Sequence, residues 1–261
     1  MSAVAPTVRA MNGFTGFEDV WAARLGGLRN VVRQHVIATQ LGEHLGSART
    51  ALDVGCGQGT QAIALARRGL AVTGIDPAPD LLDRLRADAR EQNVQVRALQ
   101  GDLAGLAEVI GGERFDLVCA HGLLMYLDEA YAGLEALAAR ATPGGLVSFT
   151  VRNGDALAYR PGIRGEFGAA LAAFESVDYR NELGVDAHAH RRADVEKWCS
   201  ATGLDIVGWY GVRVLTDGVT SSAAPDDVDL PACLAAEVEA GRRDPYRALG
   251  SMLHFVARAA R

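Results

Sequence analysis

A doubly wound α/β fold is predicted, with seven strands in a mostly parallel sheet whose last strand is antiparallel. N-terminal helices precede the sheet, and a helical insertion follows the fifth strand. Three observations predict this. Between Thr50 and Thr150 short apolar runs alternate with helical patterns, the signature of βαβ units. A glycine-rich turn, Gly55-Cys56-Gly57-Gln58-Gly59, sits where the first apolar run gives way to a helical pattern. After a stretch with no strand period, the C-terminal part returns to strand patterning.

In chain order, Glu18–Gly46 has amphipathic spacing and is expected to form one or two helices over the ligand-binding edge of the sheet. Strands are predicted at Thr50–Val54, Ala71–Ile75, Val94–Leu99, Phe115–Ala120 and Leu146–Val151. Helices are predicted at Thr60–Arg68, Pro79–Gln92 and Glu129–Ala141. Pro143-Gly144-Gly145 is expected to break the chain before the fifth strand. Asn153–Arg192, rich in Gly, Arg and aromatics, reads either as an insertion covering a site or as an irregular loop. A helix at Ala193–Thr202, a long strand at Leu204–Thr216, a helix at Val228–Gly241 and a last strand at Ser251–Ala259 complete the prediction. The last two strands suit an antiparallel hairpin. The expected divisions are a helical cap (1–48), a Rossmann-like core (49–152), an insertion or substrate lid (153–203) and C-terminal strands (204–261).

The composition is that of an ordinary globular chain, 49% hydrophobic and 22% charged over 261 residues. No apolar run of about 18 residues is present, so no membrane span is expected. Met1 to Ala10 has no apolar core and does not read as a signal peptide. Cys56, Cys119, Cys199 and Cys233 form no CxxC pair, which argues against a zinc site or disulfide framework. Reduced thiols and a cytoplasmic location are expected. The formal charge is −6, and Lys197 is the single lysine among 26 basic residues. That acidity argues mildly against a large nucleic-acid surface while allowing a small local one.

Asp53-Val54-Gly55-Cys56-Gly57-Gln58-Gly59 is the most informative segment. Its glycines allow a tight turn and close approach of the backbone to a ligand. The dinucleotide fingerprint G-x-G-x-x-G is not met, because Thr60 stands at its third glycine; the P-loop ending G-K-[ST] is also missing. Asp53 would repel a pyrophosphate. S-adenosylmethionine carries no phosphate but an ammonium and a sulfonium, so the same acid favours it.

Asp76 ends the second strand, 21 residues beyond Gly55 (76 − 55), near the ~20-residue offset of a ribose-binding acid. The competing reading is a helix cap before Pro79. Gly101 and Asp102 follow the third strand, where an acid could accept from an adenine amino group. His121 follows the fourth strand, at the edge where such sheets bind ligands. His188-Ala189-His190 has no acid or cysteine at fixed spacing, so no metal is expected.

These residues resemble those of the class I S-adenosylmethionine-dependent methyltransferases. Over most of its length the chain is similar to the bacterial tRNA 5-carboxymethoxyuridine methyltransferase family. The resemblance includes Gly27-Leu28-Arg29, the glycine loop, Asp76, Gly101-Asp102, His121, Pro143-Gly144-Gly145 and Asn153. It continues through Gly211-Val212-Arg213-Val214 with Asp217, and Asp244-Pro245-Tyr246, Leu249-Gly250 and His254. It implies that Arg29 reaches the cofactor carboxylate, that Gly55 and Cys56 line the methionine moiety, and that Asp76 takes the ribose. Gly101 and Asp102 would border the adenine, and His121 would contact the cofactor; Asp53 and Gly57 complete the set. The family's lysine-rich run is replaced here by Ser176-Val177-Asp178-Tyr179-Arg180-Asn181-Glu182, which weakens the expectation of tRNA.

Methyl transfer from a sulfonium (leaving S-adenosylhomocysteine) is an in-line displacement in which positioning supplies much of the rate. A carboxylate acceptor needs no base at neutral pH; an alcohol would, and His121 and Tyr126 are the candidates. Arg152, Arg164 and Arg213 are candidates to orient an anionic acceptor, with Tyr126 and Asn153 beside them. The acceptor is expected to be a modified tRNA or a small molecule.

Overall fold

The computed structural model describes residues 26–181, 184–219 and 223–260. The sheet is built from β1 (Thr50–Val54), β2 (Ala71–Asp76), β3 (Val96–Gln100), β4 (Phe115–Ala120), β5 (Ala141–Arg152), β8 (Leu204–Val212) and β9 (Met252–Ala259). β6 (Asp178–Arg180) and β7 (Asp186–His188) form a separate antiparallel pair. The sheet order is β3-β2-β1-β4-β5-β9-β8. β9 lies antiparallel between β5 and β8, so the other six strands run one way.

The helices are α1 (Leu28–Gly42), α2 (Thr60–Arg67), α3 (Pro79–Glu91), α4 (Leu106–Ile110) and α5 (Ala130–Ala138). In the insertion come α6 (Tyr159–Ile163) and α7 (Phe167–Glu175), then α8 (Arg192–Ala201) and α9 (Leu230–Ala240). Apolar packing follows from strand alternation and helical spacing. Leu65 of α2, Leu82 and Leu85 of α3 and Leu41 of α1 pack on one sheet face, with Leu117 and Val256. Leu106, Leu134, Leu137, Val195 and Cys199 pack on the other, around the Phe149–Phe255 stack. Leu28, Val32, Val36 and Ile37 bury the flank of α1 against Met125, Val212 and Met252. Each such side chain contributes about 1.5–3 kcal/mol of transfer free energy.

Four expectations are corrected. Pro143-Gly144-Gly145 does not precede the fifth strand: β5 begins at Ala141, and the segment is absorbed in an irregularity between the Phe115↔Ala141 and Leu117↔Leu146 pairs. That shortens α5, which stops at Ala138. The eighth strand ends at Val212 rather than Thr216, because Arg213 takes φ 55 and turns the chain away. The insertion is neither wholly helical nor irregular, holding α6, α7 and the β6–β7 hairpin. Of the predicted Glu18–Gly46 helices, 26–46 contains α1, and 18–25 lies outside the described residues. Among the described residues no helix is long and apolar enough to cross a membrane.

Candidate functional site

The glycine loop joins β1 to α2, and its shape depends on Asp76. One Asp76 oxygen accepts from the Gly57 N–H (2.8 Å) and the other from Ala78 N–H (3.0 Å). The acid at the end of β2 therefore clamps the loop after β1, rather than capping α3, whose N-cap residue is Ala78. Gly59 adopts φ 87, and a Cβ there would lie 2.4 Å from Leu85 Cγ. Only glycine suits that combination of left-handed backbone and close helix packing. The N–H groups of Gly55 and Cys56 are tied to Ile75 O.

A cavity of about 80 Å³ opens beside this loop, lined by Arg33, Asp53, Gly55, Cys56, Gly57 and His121 among others. Two of its buried polar atoms have no hydrogen-bond partner. Asp53 Oδ2 is one and His121 Nδ1 the other. Burial, then the nearby Asp76 carboxylate, raises the Asp53 pKa to about 7. Burial, then Arg33, lowers His121 to about 3. Buried polar atoms are normally satisfied, so this cavity suits a group rich in N–H donors.

Arg29 and Arg33 enter from α1. At 100° per residue, Arg29, Arg33 and Gln40 lie within about 40° of one another on the helix, flanked by the buried Val32, Val36 and Ile37. Arg33 also lines a second, larger cavity of about 630 Å³, so the two share a wall. Arg29, Tyr126, Arg152, Arg160, Arg164, Tyr179 and Arg213 face this larger space. The deepest charges on its wall are arginines: Arg29 and Arg152 are each 8% exposed, and the buried Asp217 lies 3.1 Å from Arg213 and 3.9 Å from Arg152. Burial, outweighing Asp217 and reinforced by Arg152, Arg29 and Arg33, lowers the Arg213 pKa to about 10. Arg152 Nε is buried without a hydrogen-bond partner, and its guanidinium lies 5.6 Å from the Tyr179 ring centre.

Arg213 is held by an acid far along the chain. Glu237 is fully buried and accepts from Val214, Leu215 and Thr216 N–H and from the Thr216 hydroxyl, at 2.6–3.0 Å. This ties the turn that projects Arg213 inward.

The remaining sequence candidates divide between the cavity and other places. Asn153 is buried, but its amide donates to Ala248 O and Gly250 O while its oxygen accepts from Asp155 N–H, and it does not line the large cavity. Asp102 accepts from Gly105 N–H at the start of α4, beside Gly101. Arg164 lines the cavity and donates to Val219 O. Tyr126 OH accepts from Asn181 Nδ2, and burial raises its pKa. His188 pairs with Asp178, and His190 packs edge-on against Trp198. Among the described residues no three His, Cys, Asp or Glu side chains group to hold a metal. Sequence reasoning missed Arg33, although its four-residue spacing from Arg29 on an amphipathic helix was a readable signal. Of the insertion aromatics Phe167, Phe174 and Tyr179, which the sequence offers as a cover for a modest ligand, Tyr179 lines the large cavity and the other two do not; Glu237 as an anchor was missed, and no local signal for it exists.

A family model described as a methyltransferase domain matches residues 51–145, the loop and the strands that carry it. The Escherichia coli K12 tRNA 5-carboxymethoxyuridine methyltransferase is 26% identical over 245 residues, covering 92% of this chain and 91% of that protein. The Azotobacter vinelandii ubiquinone biosynthesis O-methyltransferase is 34% identical over 171 residues, covering 64% of this chain and 70% of that protein. The magnesium protoporphyrin IX methyltransferase of Synechocystis PCC 6803, solved with bound SAH, shares the fold at a TM-score of 0.62 and 18% identity, covering 95% of this chain and 96% of that one. With this sheet order and glycine loop, these matches establish that the chain belongs to the S-adenosylmethionine-dependent methyltransferases.

Proposed function

We propose that this enzyme methylates an acceptor carrying a carboxylate, held by Arg152 and Arg213, and forms a methyl ester. The carboxylate of 5-carboxymethoxyuridine in tRNA is the acceptor the chain-long similarity favours. The observation that carries the reading is the buried, partnerless Arg152 Nε in an arginine-walled cavity that shares Arg33 with the cavity at the glycine loop.

The loop residues fit S-adenosylmethionine, since Asp53 Oδ2 and His121 Nδ1 call for a donor such as its ammonium. When bound, the cofactor supplies a methyl group activated by a sulfonium. The protein's own part is positioning. Asp53, Gly55, Cys56, Gly57 and His121 form one side, with Asp76 bracing the loop and Arg29 and Arg33 reaching in from α1. Gly101 and Asp102 would border the adenine. Arg152 and Arg213 hold the acceptor carboxylate on the other side, where a guanidinium fork fixes its oxygens. Tyr126 lies along the cavity wall.

Neither candidate base is suited to remove a proton at neutral pH. His121 stays neutral, and its lowered pKa makes it a weak base; Tyr126 holds its proton. An acceptor that arrives already ionised needs neither, which is why a carboxylate is preferred to an alcohol.

A second reading, a small-molecule O- or N-methyltransferase, draws support from the cavity of about 630 Å³, within the size range of small-molecule sites. The missing lysine run points the same way. The test is transfer of labelled methyl from S-adenosylmethionine to tRNA with and without 5-carboxymethoxyuridine. Base-labile label on the modified tRNA alone supports the first reading. Label on tRNA lacking that nucleoside, or none on either, rules it out in favour of a search among small acids.

A further inference from the structure

A buried chain of hydrogen bonds runs from β8 to the cofactor side of the site. Gln40 Nε2 donates to Gly211 O (3.1 Å), and Gln40 Oε1 meets His254 Nδ1 at 2.8 Å. His254 Nε2 meets Ser148 Oγ at 2.9 Å, and Ser148 Oγ meets His121 Nε2 at 2.9 Å. Gln40, Ser148 and His254 are each 0% exposed. The chain crosses β8, α1, β9 and β5 before reaching the end of β4.

Its polarity has one solution. A backbone carbonyl only accepts, so the Gln40 amide nitrogen must face Gly211 O and its oxygen must face His254. His254 Nδ1 therefore carries the proton, and its Nε2, in a neutral ring, is an acceptor. The Ser148 hydroxyl must then donate to His254 and accept from His121 Nε2–H. That leaves His121 Nδ1 as a lone pair, buried and without a partner at the cavity beside Asp53. Room for the first bond depends on Gly241, where a Cβ would lie 2.5 Å from Gly211 O and 2.9 Å from Gln40 Nε2. Burial also holds His254 neutral, as the chain requires.

We propose that Gln40, His254 and Ser148 are positioning residues that lock His121 in its Nε2–H tautomer, so that Nδ1 is an obligate acceptor for a donor group of the cofactor. This rests on reading the glycine-loop cavity as the cofactor site, but the tautomer itself does not. Reversing the tautomer would point an N–H into a cavity already suited to N–H donors and would weaken binding.

The test begins with the free wild-type enzyme, ¹⁵N-labelled at histidine. The His121 signals are assigned by their loss in His121→Gln. Expected is a protonated, pyrrole-type Nε2 with a pyridine-type Nδ1; a protonated Nδ1 overturns the proposal without any variant having to fold. In Ser148→Ala the lock is gone. His121 should then sample both tautomers and the Kd for S-adenosylhomocysteine should rise about tenfold, the scale of one hydrogen bond. Ser148→Thr, which keeps the hydroxyl, should restore both. An unchanged tautomer and unchanged Kd in Ser148→Ala also overturn it. No binding of S-adenosylhomocysteine by the wild type would instead sink the cofactor-site reading, leaving the tautomer result standing.

Discussion

Replacing Asp53 by Asn should stabilise the free enzyme more as pH rises. In the folded chain burial and Asp76 lift the Asp53 pKa from 3.8 to about 7. Between those values the native state holds a proton that the unfolded chain has released, so stability falls as pH rises across that window. The full shift is about 3 pH units, on the order of 4 kcal/mol at 1.36 kcal/mol per unit. Between pH 5 and 7 about two units, roughly 3 kcal/mol, are lost. At about 2–4 °C per kcal/mol for a chain of this size, the Tm advantage of Asp53→Asn over wild type should grow by about 6–12 °C from pH 5 to 8. His44, His121, His190 and His254 have lowered pKa values and act the other way, adding stability as pH rises. The readout is therefore the difference between the two proteins, by scanning calorimetry at matched ionic strength. A constant gap across that range would show that Asp53 is already ionised at pH 5. The same logic extends to binding: the ammonium of S-adenosylhomocysteine favours the carboxylate, so wild type should release about half a proton on binding at pH 7 and Asp53→Asn none. Titration calorimetry in two buffers of different ionisation enthalpy reads this directly.

Gly59→Ala combines a left-handed backbone, costing about 1–2 kcal/mol, with a Cβ 2.4 Å from Leu85 Cγ; a Tm loss of at least about 4 °C is expected by thermal melting. Glu237→Gln can keep the three bonds at Oε1 but turns an amide N–H toward Val214 N–H. It should cost about 1–3 kcal/mol in denaturant melts and raise the acceptor KM by displacing Arg213. Arg152→Ala should lose at least about tenfold in kcat/KM for the acceptor, while the Kd for S-adenosylhomocysteine stays the same; a loss confined to cofactor affinity would contradict its assignment. His121→Ala should weaken cofactor binding, and a fall in kcat at saturating cofactor with unchanged affinity would restore His121 as a base.

Much of the fold was legible because its signal is local. β1, β2 and β4 follow short apolar runs, and α2 and α3 follow a 3.6-residue period, so pattern and burial agree. Where the two part, the reading failed. α7 exposes Phe167, Leu171 and Phe174, each 68% accessible, so its apolar period does not report a buried face. The end of β8 depends on a non-glycine residue at positive φ, a conformation that Glu237 supports from more than 20 residues away. No window around Arg213 contains that information. Asp76 was singled out as a ribose acid by its spacing, and what the structure shows of it is the bond to Gly57 N–H that fixes the loop. Asn153 had the right position for a site residue, and its amide is consumed by Ala248 and Gly250.

The electrostatic layout of the site was the least legible part, because each half is assembled from several elements. Asp53 on β1 and His121 after β4 give one cavity its acceptors, while α1, β5 and the turn after β8 give the other its guanidiniums. Among the described residues Arg33 alone borders both. A cationic donor and an anionic acceptor attract each other in any medium, but that attraction does not orient them. Under the proposed assignment of the two cavities each reactant would face its opposite charge, and a swapped arrangement would place a carboxylate against Asp53 and a cation among arginines. Like charges at such contact cost several kcal/mol, and under that assignment the repulsion would select one orientation before any chemistry begins. Charge reversal should therefore fail asymmetrically: Arg213→Glu should abolish use of an anionic acceptor while S-adenosylhomocysteine still binds, whereas Asp53→Arg should lose both.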